Sequence, residues 1–346
     1  MKGKKIIRIL KTGIFILIFG SLFIGLASQV IVPHYIPELE EPAYKAYLVF
    51  EHLVRGIIII AGAVAVYVLL KKGKKQNKNR RFSLIGFSVS ALILICILPV
   101  VTGFWELYNV LMPFPWSTIP LQLMYNGHYF SFNFQNAFNG HGVTVLLIFY
   151  AVFNIAVFTI VLLFGRRVFC SLICVNFGAH AETLKEGFPL FGSRKKMKRN
   201  LMPRLKGVLS LAKWVFLTAN LVLIIMWIGV LAGADLNIGA LKALELIKYM
   251  TFELFLVLFA FAVLSGRTYC YYCPAGTMLS LIGKAAGHCV KTNVTHCIEC
   301  GACNDACDMQ IDIKSHAVKG EPVRSLLCVG CGACADVCPT RNLAYL

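Results

Sequence analysis

The sequence predicts a polytopic α-helical membrane protein with about six spans, followed by a small cysteine-rich α+β domain. Three observations carry that fold class. Hydrophobic residues make up 58% of the 346-residue chain and charged residues 14%, against about 45–50% and about 25% in soluble domains. That apolar excess needs lipid as its solvent and argues against a soluble, disordered or fibrous chain. Within residues 1–288, apolar stretches recur at about 20 residues, the length that crosses a bilayer. The chain has 14 cysteines, and eight of them follow one repeated spacing within residues 289–346.

The spans are placed at residues 13–32, 50–70, 83–103, 142–165, 209–232 and 248–265. The first follows the basic start Met1-Lys2-Gly3-Lys4-Lys5 and lacks a small-residue cleavage site, so it reads as an uncleaved span rather than a signal peptide. The second is the least apolar, because Glu51 and Arg55 sit at its start. They read either as interfacial snorkelling or as an ion pair beside a functional cavity.

Net charge is +18. Residues from Cys289 onward carry −1, so the whole excess lies in the membrane portion. It collects in short runs, Lys71 to Arg81 and Arg194 to Arg199, whereas Phe104 to His141 has no Lys or Arg. Positive loops stay on the cytoplasmic side. The alternation therefore predicts cytoplasmic termini in a bacterial or archaeal cytoplasmic membrane, and basic runs that set topology rather than bind nucleic acid. The third loop is rich in aromatic residues, among them Trp105, Tyr108, Trp116 and Tyr129. It reads as an interfacial belt, a wall for a quinone ring, or a docking face for a partner.

The tail contains Cys297-x2-Cys300-x2-Cys303-x3-Cys307 and Cys328-x2-Cys331-x2-Cys334-x3-Cys338-Pro339. This is the bacterial two-cluster ferredoxin spacing, in which the fourth cysteine of each run ligates the other cluster. Three closely spaced thiolates wrap one face of a cubane, and the fourth is expected to start a helical turn pointing away. The spacing assigns one [4Fe–4S] cluster to Cys297, Cys300, Cys303 and Cys338, and a second to Cys307, Cys328, Cys331 and Cys334. Gly301 and Gly332 let backbone amides approach the sulfurs. Zinc prefers paired C-x2-C knuckles, which this doubled order is not. Asp308 stands where the second run has Pro339. It is expected to cap a turn, and its charge to disfavour the reduced cluster.

Two further segments resemble each other. Gly165-Arg166 precedes Cys170 and Cys174, and Gly266-Arg267 precedes Cys270 and Cys273. Each lies at the end of a span and is followed by a glycine, Gly178 or Gly276. Such a weak internal repeat is expected where two helix ends meet around one site. The arginines would compensate thiolate charge. The four cysteines read as a third iron–sulfur centre, as redox dithiols, as a soft-metal site, or as buried structural thiols. Cys96 reads as an ordinary small buried residue and Cys289 as a spare thiol.

On these residues the chain resembles the membrane polyferredoxins of the NapH/NosR type, and more distantly the FixG/CcoG group. The specific match covers about Phe164 to Cys174 and Ser265 to Pro339. The family's membrane motif falls on Cys170, Cys174, Cys270, Cys273 and Pro274, and its cluster ligands on the eight tail cysteines. Val175 follows Cys174 where the family has proline, and the second pair is C-x2-C rather than C-x3-C. No flavin domain of the full NosR kind precedes the first span. The resemblance implies quinol-linked electron transfer to or from a partner oxidoreductase.

No Walker loop, dinucleotide fingerprint or nucleophile elbow is present. His52 and His141 lie at span edges, a poor arrangement for haem. Glu106, His128, His141 and Glu253 are candidate proton acceptors for a quinol on the side away from the tail, or plain interfacial polar groups. The function expected is one-electron relay between the quinone pool and a partner oxidoreductase. The alternatives are a membrane metal or disulfide reductase reacting at Cys170, Cys174, Cys270 and Cys273, and a redox-sensing assembly or regulatory protein.

Overall fold

The computed structural model describes residues 2–72, 77–103, 105, 110–126, 139–192, 197–292 and 297–345. Among them six helices are long and apolar enough to cross a membrane: Lys5–Gly25, Pro37–Lys71, Lys78–Thr102, Gly142–Phe164, Met202–Leu231 and Ile238–Val263. Their outward faces carry exposed apolar side chains such as Ile155, Leu163, Leu211, Ile225 and Phe255, the surface that lipid covers. The chain is a multi-pass helical protein with a short cysteine-rich tail.

Five of the six spans start earlier than hydropathy alone suggests, the second and the sixth by ten residues or more. The second begins at Pro37, so Glu51 and Arg55 lie well inside the helix rather than at its edge, and both are buried or nearly so. Snorkelling does not describe them. Arg55 Nη1 meets Glu51 Oε2 at 2.5 Å, one helical turn away. The sixth begins at Ile238, where the Asn237 side chain accepts the Ala240 amide and caps the helix. Residues 238–246 are therefore helix, not loop. The Glu245 charge is absorbed by pairing, since Lys248 meets it at 2.8 Å inside the bundle.

The fourth and sixth spans each break at a short segment that returns to the bundle. After Gly165 the chain makes one wide helical turn, Phe169–Ile173, and then the helix Gly178–Thr183. After Val263 it makes the turn Tyr269–Tyr272 and then the helix Pro274–Ala285, whose proline at the first position suits a helix start.

In the tail, β1 (Val290–Thr292) pairs antiparallel with β2 (Leu343–Tyr345), with Lys291 opposite Ala344. Between them the two cysteine runs repeat one conformation. Gly301 and Gly332 are left-handed, at φ 73° and 72°, and open the short helices Ala302–Ala306 and Ala333–Val337. Cys307 and Cys338 close those helices, so the fourth cysteine ends a helical turn instead of starting one. The reversal arises because the left-handed glycine already winds the third cysteine into the turn.

The tail docks on the ends of the third, fourth and fifth spans. The Asp336 carboxylate accepts the Asn79 and Arg80 amides at 3.1 and 3.0 Å and so caps the third span from outside it. Ser171 donates to the Val329 carbonyl at 2.8 Å. Lys198 donates to the Asp305 carbonyl and Lys206 to that of Gln310.

Candidate functional site

Two cavities in the tail are each lined by four cysteines. One, of about 350 Å³, has Cys297, Cys300, Cys303 and Cys338 in its wall, together with Ile298, Lys314 and Pro339. The other, of about 600 Å³, has Cys307, Cys328, Cys331 and Cys334, together with Arg267, Asp308 and Tyr345. Each set takes three cysteines from one run and the fourth from the other. The cavities differ in surroundings. Cys300 in the first is exposed, and the second is pressed against the membrane bundle.

Gly330 shows that pressure. It holds φ 66°, and a Cβ there would stand 2.7 Å from the Arg167 Cβ. The equivalent position in the first run is Glu299, which also has positive φ but faces solvent and keeps its side chain.

Burial raises the Cys328 thiol to about 12 and also pushes the Cys334 thiol up, with neighbouring sulfurs adding to it. These sulfurs become thiolates only when a metal displaces the proton. Among the described residues no three His, Cys, Asp or Glu side chains converge closely enough for a single ion. A cubane offers a separate iron to each thiolate, so its ligands stand farther apart than those of one ion. The two cysteine-walled cavities suit that larger group.

The membrane-edge cysteines sit directly beneath the second cavity. Cys170, Cys174 and Cys273 are buried, and Cys270 is half-buried. Burial, with Cys170 adding to it, pushes the Cys174, Cys270 and Cys273 thiols up, Cys174 to about 11. Two cations face them. Arg166 Nε donates to Cys170 Sγ at 3.1 Å, and its Nη1 reaches the Leu326 carbonyl in the tail. Burial alone would lower the Arg166 pKa, but the sulfurs of Cys170, Cys270 and Cys273 outweigh it and keep the guanidinium charged. Arg267 Nη1 donates to the Cys170 carbonyl at 2.9 Å. The repeat in sequence is also one in geometry. Cys273 Sγ accepts the Gly276 amide at 3.3 Å, and the Gly178 and Phe177 amides face the Cys174 sulfur.

An ion network ties this layer to the tail. Glu182 is 3% exposed and meets Arg80 at 3.1 Å and Arg267 at 3.2 Å. Burial alone would raise its pKa, but Lys185, Arg80 and Arg267 hold it down at about 2. Asp308 meets Lys185 at 2.7 Å and Lys198 at 2.8 Å. Its charge is therefore compensated by the membrane portion.

A larger cavity, of about 970 Å³, opens among the first, second and sixth spans. Its polar wall is Glu51, Arg55, Asn176, His180, Tyr249 and Glu253. Arg55 Nη2 donates to Asn176 Oδ1 at 2.7 Å, and His180 Nδ1 contacts the Asn176 carbonyl. Burial, then the Arg55 charge, depress the His180 pKa to about 3, so the imidazole is neutral at neutral pH. An aromatic bridge leads from this cavity to the cysteines. Phe177 and Trp116 are in its wall, and both touch Tyr269, the neighbour of Cys270. Phe177 stacks at 3.6 Å between ring centroids, and Trp116 Nε1 donates to the Tyr269 hydroxyl at 2.7 Å.

Of the other sequence candidates, Glu253 faces the cavity. Glu106, His128, Tyr108 and Tyr129 lie outside the described residues. His141 is exposed where the fourth span begins. His52 is buried, its Nδ1 against the Ile95 carbonyl and its ring edge near Trp105. Cys96 donates to the His52 carbonyl, and Cys289 is buried. Reading the sequence missed His180, Lys248 and Glu245. The one signal available was that all three are polar residues in or beside apolar segments.

Fold and site define a multi-pass helical membrane protein that carries a 4Fe–4S ferredoxin domain. Comparison with protein families agrees: the 4Fe-4S dicluster domain family matches residues 296–343. Neither the curated proteins nor the solved structures give a match.

Proposed function

We propose that the chain relays single electrons between a quinone held in the bilayer and a partner oxidoreductase, through two [4Fe–4S] clusters in residues 289–346. One cluster is held by Cys297, Cys300, Cys303 and Cys338, the other by Cys307, Cys328, Cys331 and Cys334. Cys170, Cys174, Cys270 and Cys273 form a third redox or metal station within the membrane portion, residues 1–288. The observation that carries the reading is that two tail cavities are walled by these interleaved quartets.

Each cubane, when bound, takes up and returns one electron with little change of shape. The chain's own groups do the rest. The eight thiolates hold the metal, and the left-handed glycines bring amides toward the sulfurs. Arg166 and Arg267 supply fixed positive charge beside the membrane-edge sulfurs, and Arg166 joins them to the tail through the Leu326 carbonyl. The 970 Å³ cavity offers an apolar wall with a few polar groups, the usual character of a ring-binding site. Phe177, Trp116 and Tyr269 link it to Cys270. The basic loops put the tail and both termini on the cytoplasmic side of a bacterial or archaeal cytoplasmic membrane. The NapH/NosR resemblance fits this assignment.

The reading is tested by anaerobic purification with iron and sulfide analysis and low-temperature EPR. Two cubanes require about eight iron atoms per chain, and a loaded third station adds more. An iron-free, colourless preparation would refute the reading. Substituting Ser at Cys170 and Cys273 separates relay from reductase. Loss of metal or disulfide reduction with intact quinol-driven cluster reduction would move the reaction to the membrane-edge cysteines.

A further inference from the structure

We propose that Glu253, Lys248 and Glu245 form a proton relay leading from the 970 Å³ cavity toward the membrane face opposite the cysteine-rich tail. The inference rests on reading that cavity as a quinol site.

All three residues lie on the sixth span, Ile238–Val263. Lys248 Nζ stands 2.8 Å from Glu245 Oε2 and 3.8 Å from Glu253 Oε1, so one ammonium touches both carboxylates. The three side chains are exposed by only 8–10%. Glu253 is in the cavity wall, and Glu245 is not. Beyond Glu245 the network continues. Its Oε1 accepts from the Thr118 hydroxyl and from Trp227 Nε1, and Gln122 Nε2 donates to Thr118. Lys248 also donates to the neutral Asn220 amide oxygen. On the cavity side, Glu253 shares the wall with Tyr249, His180 and the Glu51–Arg55 pair, and Glu51 already has its own cation.

Charge and depth both argue for transport rather than support. Two carboxylates share one ammonium, leaving an excess negative charge inside the lipid slab, which is costly and marks function more often than structure. A proton is what neutralises it. At 1.5 Å per residue, Glu253 is about 15 Å from the tail-side end of the helix at Val263, and Glu245 about 27 Å. The triad therefore covers about 12 Å of membrane depth, directed away from the clusters.

A quinol leaves the cavity as quinone after giving two electrons to the iron–sulfur clusters and two protons to the protein. Each proton passes from a substrate hydroxyl to the Glu253 carboxylate. Lys248 gives a proton to Glu245 and is recharged by the Glu253 carboxylic acid. Both return to their starting state, and Glu245 releases its proton at the Thr118–Gln122 end. No electron moves through the triad, and quinone reduction uses the same path in reverse.

The test uses cluster-loaded protein in liposomes of known orientation, a reduced short-chain benzoquinol as donor, stopped-flow bleaching of the clusters and a trapped pH dye. The expected results are acidification on the face opposite the tail and at least tenfold slower bleaching in Glu245→Gln and Lys248→Met. The solvent deuterium effect should rise in both, and Glu245→Asp should recover most of the rate. Iron content and bleaching by dithionite should match the wild type. Wild-type rates and isotope effects in both variants, or acidification on the tail side, would overturn the relay and leave the quinol reading standing. If dithionite but no quinol bleaches the wild type, the quinol reading falls and the relay with it.

Discussion

Protonation of His180 should set a pH limit on the stability of the membrane portion. The imidazole is 5% exposed, burial is the main cause of its low pKa of about 3, and the Arg55 guanidinium adds to it. In the unfolded chain a histidine titrates near 6.5. Between these values the unfolded state binds a proton that the folded state refuses, so stability rises with pH across this window and falls on acidification. The loss begins as pH drops below the unfolded value. From pH 7.5 to pH 5.0 the linkage gives about 2 kcal/mol. Replacing His180 with Asn removes the titrating group and should flatten this part of the curve. The assay is a denaturant titration in mixed micelles at several pH values, wild type against His180→Asn. Equal slopes for the two proteins between pH 5.0 and 6.5 would refute the reasoning, because no proton would then be linked to this site.

Other expectations follow from the contacts. Gly330→Ala sets a Cβ against Arg167 at a left-handed position, costing about 1–2 kcal/mol for conformation alone. It should lower iron retention in the inner quartet more than Gly301→Ala lowers it in the outer one, read by iron content after mild chelation. Glu182→Gln leaves the buried Arg267 guanidinium without its carboxylate and Arg80 with Glu186 alone, a loss of about 3 kcal/mol or more, measured by the same micelle titration. Asp308→Asn unpairs Lys185 and Lys198 beside the inner cavity. The added positive charge should raise the potential of the cluster there, read by EPR-monitored redox titration.

The doubled cysteine motif was legible because the thiols of each run lie within eleven residues, but the meeting of Cys338 with Cys297, Cys300 and Cys303 across more than thirty residues is made by the fold. The large cavity was not legible, because its wall draws on Tyr47, Trp116, His180 and Glu253, brought together only by packing. The start of the sixth span was misplaced for a physical reason. Lys242, Glu245 and Lys248 lower the hydropathy of residues 238–248, and only the structure shows that Glu245 and Lys248 neutralise each other inside the bundle. The second span was misjudged in the same way. Of the two readings of Glu51 and Arg55, snorkelling put them at the span's edge, whereas the structure has the ion pair, on one helical face and largely buried.

The two tail cavities are related by an internal repeat but placed in different surroundings, and that difference would give the proposed relay a direction in space. The quartet of Cys307, Cys328, Cys331 and Cys334 has Arg267 in its wall, and Ser171 holds the backbone of Val329 beside it. The quartet of Cys297, Cys300, Cys303 and Cys338 has Ile298 in its wall at 62% exposure, and Cys300 is exposed as well. The Gly330–Glu299 contrast records the same polarity in the backbone, since the position that meets the bundle is a glycine and the one that meets solvent carries a side chain. In the proposed relay, an electron entering from the membrane would meet the buried quartet first, and the outer quartet would be the one open to a soluble partner. Exchanging the two environments, rather than the ligands, is what would reverse that order.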